Sequence, residues 1–114
     1  MRADMLEGVE EAFAYIILKD KIEKEDYAKK VKEFDVMADS FQKTGALKED
    51  GLEKTYAAMQ NTKAALVSSI DKLHSDFEKK GSVTKHEVRE VEDALHRFDS
   101  AYFDLFDEYM KNIE

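Results

Sequence analysis

From Val88 to Tyr109, apolar side chains recur at intervals of three and four without a break: Val88, Val91, Leu95, Phe98, Tyr102, Leu105 and Tyr109. That spacing keeps one face of an α-helix apolar for its whole length and forms a heptad seam. A second seam runs through Leu52, Tyr56, Met59, Leu66, Ile70, Leu73 and Phe77, with Lys63 in one expected apolar slot. Gly81 follows the basic stretch Lys79-Lys80, as a helix C-terminus requires, and Thr84-Lys-His-Glu87 reads as a capping box. A connection this short between two seams predicts a long antiparallel hairpin, each arm roughly 45 Å at 1.5 Å per residue.

The chain contains no proline and four glycines, which favours long helices. Val83 and Val88 flank the Thr84 box as a hydrophobic staple. Three further sites place an acid three residues before Glu: Asp4/Glu7, Asp20/Glu23 and Asp50/Glu53. Gly45, after Gln42-Lys43-Thr44, marks another helix end. The loops then fall near 45–50 and 81–83.

The first 44 residues allow two readings. Leu6, Val9, Phe13 and Ile16 form one stripe; Tyr27, Val31, Phe34, Ala38 and Phe41 form another. One continuous helix over 4–44 gives a three-helix, spectrin-like bundle. A turn near Lys21 gives two helices. The C-terminal segment favours the second reading, because Phe103, Phe106, Met110 and Ile113 make an extra apolar line about 90° from the seam. Two short helices packed there would need that line as core. The expected fold is all-α: an antiparallel four-helix bundle in one domain, helices near 4–19, 23–43, 51–79 and 84–113. It is built on the hairpin of the third and fourth helices, with the tip at Gly81 left barer.

Chemistry is sparse. Without Cys, thiol catalysis and disulfides are excluded. The Ser residues have no glycine elbow or suitably spaced His, and the isolated glycines form no phosphate loop. Two Asp-x-x-His pairs, Asp71/His74 and Asp93/His96, resemble half of a di-iron bundle site. Their distances from the Gly81 turn separate the histidines by roughly 12 Å along the bundle. They are read as exposed, and neither catalytic residue, metal nor cofactor is expected. Charged runs are read as solvated faces with pairs such as Lys19/Glu23 and Glu25/Lys29. Ala57, Ala58, Ala64, Ala65, Ser68 and Ser69 are read as small residues allowing close helix approach.

The net charge of −8 disfavours direct binding to nucleic acid. No apolar run reaches a membrane span of about 20 residues, and no signal peptide is recognisable, so a cytoplasmic location is expected. The expected function is non-catalytic binding of another protein, as an inhibitor, adaptor or immunity-type regulator. A structural homo-oligomer is the alternative, and an acidic DNA mimic stands behind it. Three places could bind a partner: Tyr15, Leu18 and Ile22 on the first helix and turn; Lys79, Lys80, Lys85, His86 and Arg89 at the tip; and Phe103 and Phe106 on the last helix. For the first and last of these, burial in the core is the competing expectation.

Overall fold

The computed structural model describes residues 1–49 and 51–113, and Ile113 through its backbone alone. The chain is all-α, with no β-strand among the described residues. Five helices follow in order: α1 (Arg2–Leu18), α2 (Lys21–Lys43), α3 (Ala46–Glu49), α4 (Glu53–Lys80) and α5 (Lys85–Ile113). Helix α1 packs chiefly on α2, and α4 chiefly on α5. The two resulting hairpins lie face to face in a body of 49 × 25 × 18 Å.

The α4 seam is buried from Leu52, at its N-cap, through Tyr56, Met59, Leu66, Ile70 and Leu73 to Phe77. Of the α5 seam, Val91, Phe98 and Leu105 are buried, with Ala94 beside them, whereas Val88, Leu95, Tyr102 and Tyr109 are partly buried. Phe34 of α2 and Phe98 of α5 are fully buried and meet edge to face, ring centroids 5.6 Å apart. Lys63, in the broken slot of the α4 seam, reaches Asp35 of α2 at 2.8 Å with its side chain 15% exposed. Its ammonium also stands 5.9 Å from the Phe34 ring centroid. The charge therefore sits at the edge of the core while the stem packs within it.

Helices α1 and α2 are separate, and no glycine makes the break. Lys19 adopts the left-handed conformation at φ 56°, and its N–H donates to Tyr15 O. Asp20 then caps α2, accepting a hydrogen bond from Ile22 N at 3.0 Å. At Thr84 the full reciprocal box forms: Glu87 N–H donates to Thr84 Oγ1, and Thr84 N–H donates to Glu87 Oε1, both at 3.1 Å. The Asp4 box does not form, because α1 begins at Arg2 and Asp4 lies inside its first turn. The third box begins at Asp50, which lies outside the described residues.

Between α2 and α4, the expected plain loop holds a helical turn. Gly45 at φ 83° opens it, and Leu47 and Leu52 are buried anchors joined by Leu52 N–H to Leu47 O. The small residues Ala57, Ala58, Ala64, Ala65 and Ser68 are exposed, so they form the outer face of α4 rather than a close crossing. The close crossing is at Gly8, where an added Cβ would meet Lys30 Cβ of α2 at 3.4 Å.

The cladding of the long hairpin differs from expectation. Tyr15 meets Phe77, and Lys24 meets Glu78 at 2.7 Å, so the α1–α2 corner reaches almost to the Gly81 tip. At the other end, α1 begins beside Asp99 while α5 continues to Ile113. The barer end is therefore the one holding the α5 C-terminus.

Candidate functional site

The open end is built from three helices. Arg2, at the start of α1, grips Asp99 of α5 through Nε–Oδ1 at 2.8 Å and Nη2–Oδ2 at 3.2 Å. Its guanidinium also lies 5.0 Å from the Phe103 ring centroid. Hydrogen bonding to Asp99 raises the Arg2 pKa further. Beyond this clamp, Phe103 and Phe106 are each 45% exposed and Met110 is 37% exposed. The expectation that this line is core is therefore corrected for Phe103, Phe106 and Met110, which no helix among the described residues covers; the side chain of Ile113, the fourth member, lies outside what is described. The expected helix break exists, but Phe103, Phe106 and Met110 are not what α1 and α2 pack on.

A shallow groove leads inward from that line, walled by Met1, Phe41, Tyr102, Leu105, Phe106 and Tyr109. Phe41 and Tyr109 meet edge to face at 5.5 Å, which closes its floor. On α2, Glu23, Lys30 and Met37 are spaced by heptads, and Lys30 bonds Glu7 of α1. Met37, which is 51% exposed, thus continues the α1-facing line of α2 past the start of α1. Between Arg97 and Lys111, α5 carries Asp99, Asp104, Asp107 and Glu108 and no basic residue. Asp104 and Asp107 have no cation partner among the described residues, whereas Glu108 accepts from Thr55 Oγ1.

The other two predicted places look different. Tyr15 is buried, packed edge-on against His74 and Phe77, so it is no surface residue. Leu18 and Ile22 are exposed at the α1–α2 corner with Ile17. At the tip, Lys79, Lys80, Lys85, His86 and Arg89 are all exposed. His86 Nε2 lies 2.8 Å from Glu90, as an i,i+4 pair on α5. Val36 is exposed beside Lys29, Lys32 and Glu33 on the outer side of α2, with Met37 at the edge of this group toward α1.

His74, expected at the surface, is instead only 2% exposed. Its Nε2 is 3.0 Å from Ala12 O, and the rings of Tyr15 and Tyr27 stand edge-on to it. Burial lowers its pKa below the usual value; Lys24 adds to this, while the Ala12 hydrogen bond, Asp71 and Glu78 oppose it. The neutral ring donating to a backbone carbonyl is a structural tie. Sequence carried the signal, since His74 is four residues after Ile70 and three before Phe77, on the edge of the seam. Asp93 and His96 are exposed, and nothing brings that pair to His74.

Glu11, Glu23 and Asp26 bring carboxylate oxygens within 4.8 Å of one another between α1 and α2. A hydrogen bond with Glu11 is the main cause that raises the Glu23 pKa to about 6, so Glu23 carries a proton to share with Glu11 only below about that pH. The expected Lys19/Glu23 and Glu25/Lys29 pairs are absent among the described residues; Lys19 lies outside either helix. No helix among the described residues is long and apolar enough to cross a membrane. Compared with protein-family models, curated proteins and solved structures, the chain matches none.

Proposed function

We propose that this chain is a non-catalytic protein-interaction module acting in the cytoplasm, with the open end of α5 as its binding face. The four long helices are read as an antiparallel bundle that holds this face rigid. One observation carries the reading: Phe103, Phe106 and Met110 stand together, partly exposed, beside a packed aromatic floor. Neighbouring exposed aromatics on a rigid support are what a partner buries at the centre of an interface. A regulator, inhibitor or adaptor needs no more than such a face. An acidic surface repels phosphates, so the partner is a protein rather than a nucleic acid.

A photo-crosslinking amino acid at position 106 tests this reading. The expected result is capture of one stoichiometric partner from the native lysate, with no capture from the same group at exposed Ala57 on α4. Equal capture at both positions, or none at either, sinks it. The homo-oligomer reading predicts that the captured protein is the chain itself.

A further inference from the structure

The open end has a shape and a charge that select among protein partners. Helix α1 meets α5 through Arg2, at Asp99 and Phe103. Helix α5 runs on to Ile113, roughly 20 Å further at 1.5 Å per residue. Along that stretch α5 offers Phe103, Phe106 and Met110, and α2 offers Met37 and Phe41. The trough between these walls continues the line of α1. Its length of roughly 20 Å suits one more helix.

Charge narrows the choice. The α5 wall is acidic and lacks any basic residue between Arg97 and Lys111. Asp107, beside the Phe103 line, has no cation partner among the described residues, whereas Asp104 lies about 100° round α5 from Phe103 and takes no part. The chain itself shows how this wall is satisfied: the guanidinium of Arg2 binds Asp99 with two hydrogen bonds while covering the Phe103 ring. One turn further on, Phe106, which is 45% exposed, and Asp107, which has no cation partner among the described residues, again offer a ring and a carboxylate. A second copy meeting this face symmetrically would set carboxylates against carboxylates, which is unfavourable.

We propose that the occupant is a cationic amphipathic helix of another protein, about four turns long, laid along α5 in line with α1. Its apolar side chains cover Phe103, Phe106 and Met110, and a Lys or Arg takes Asp107. This inference rests on reading the open end as an interface.

The test uses three synthetic peptides of about fourteen residues, a length of roughly 20 Å as helix. One is an amphipathic Lys/Leu helix, one is its scrambled isomer of equal charge, and one is a Glu/Leu twin. Binding to the full chain is followed by calorimetry and by amide chemical shifts at about 0.15 M salt, where diffuse attraction is screened. The expected result is that the amphipathic cation binds about tenfold or more tighter than its scramble, with shifts at Phe41 and over 103–110. Phe106→Ser weakens it by a similar factor, and Asp107→Lys weakens it while improving the Glu/Leu twin. Both substitutions are at exposed positions, so circular dichroism of the variants is expected to match the parent.

Equal binding of cationic peptide and scramble overturns the proposal, as do shifts confined to Lys29, Lys32 and Val36. Oligomers in light scattering that Phe106→Ser dissolves overturn it in favour of a second copy. If position 106 captures a partner from lysate while no cationic helix binds, the interface stands and this occupant is wrong. If neither happens, both readings fall.

Discussion

The imidazole Nε2 of His74 in α4 lies 3.0 Å from the carbonyl oxygen of Ala12 in α1, joining the two hairpins through a buried contact. Only a ring protonated at Nε2 can donate there, and burial keeps that ring neutral by lowering its pKa below 6.5. The sign of the pH effect follows. Above pH 6.5 the histidine is neutral in both folded and unfolded chains and contributes no slope. Below it, the unfolded chain takes up the proton first, so stability falls with pH until the folded ring is protonated too. His74→Gln retains an amide donor without a titration. Urea unfolding of parent and variant should therefore show a stability difference that changes below pH 6.5 and is flat above it.

Glu23 works in the opposite sense. Its pKa is raised from 4.5 to about 6, first by the hydrogen bond with Glu11, then by burial and by the charges of Glu11, Asp26 and Asp20. A raised folded pKa means that this group's stabilisation is fully present below 4.5 and is lost as pH rises through 6. Glu23→Gln keeps a donor for Glu11 and removes the repulsion. The variant should melt higher than the parent at pH 7, and the gain should vanish near pH 4, the contrast being read by calorimetry at the two pH values.

The seams of α4 and α5 were legible because a heptad repeat fixes which face is buried whatever covers it. What covers a second face is a different matter. Phe103, Phe106 and Met110 have the spacing of a core line, yet the helix that would cover them begins too far along, at Arg2. For Tyr15 the local pattern allows surface or core, and residues more than fifty positions on in the sequence decide it: His74 and Phe77 close over it. The start of α2 was legible through Asp20, but the left-handed Lys19 was not, since that conformation is usually written as Gly. The Arg2–Asp99 clamp joins residues 97 apart in the sequence and leaves no periodic trace.

Lys19 gives a direct prediction. A side chain at φ 56° brings its Cβ against the following carbonyl, at a cost of ~1–2 kcal/mol that Gly does not bear. Gly also gains entropy in the unfolded chain, which takes back part of this advantage. The charge of Lys19 forms no ion pair among the described residues, so nothing electrostatic is lost on substitution. Lys19→Gly should raise unfolding stability by ~0.5–1 kcal/mol. An unchanged or lower midpoint in guanidinium would mean that the break is held by something other than its dihedral angles.

Phe34 and Phe98 set the junction between hairpins. Both are fully buried, and their rings meet at an interplanar angle of 69° with centroids 5.6 Å apart. Truncating either side chain leaves a cavity that neighbours on rigid helices cannot fill, so Phe98→Ala should cost ~3–5 kcal/mol. Edge-to-face packing adds a pairwise part of ~0.5–1.5 kcal/mol beyond area. The double variant should therefore lose less than the sum of the two single variants by about that amount. Since Lys63 also stands over Phe34, Phe34→Ala should loosen the Lys63–Asp35 pair, whereas Phe98→Ala should leave it intact. Denaturant unfolding of the four-member cycle, with and without Asp35→Asn, separates the ring–ring coupling from the ring–cation one. Strict additivity would show that the hairpins are held by area alone and not by this aromatic pair.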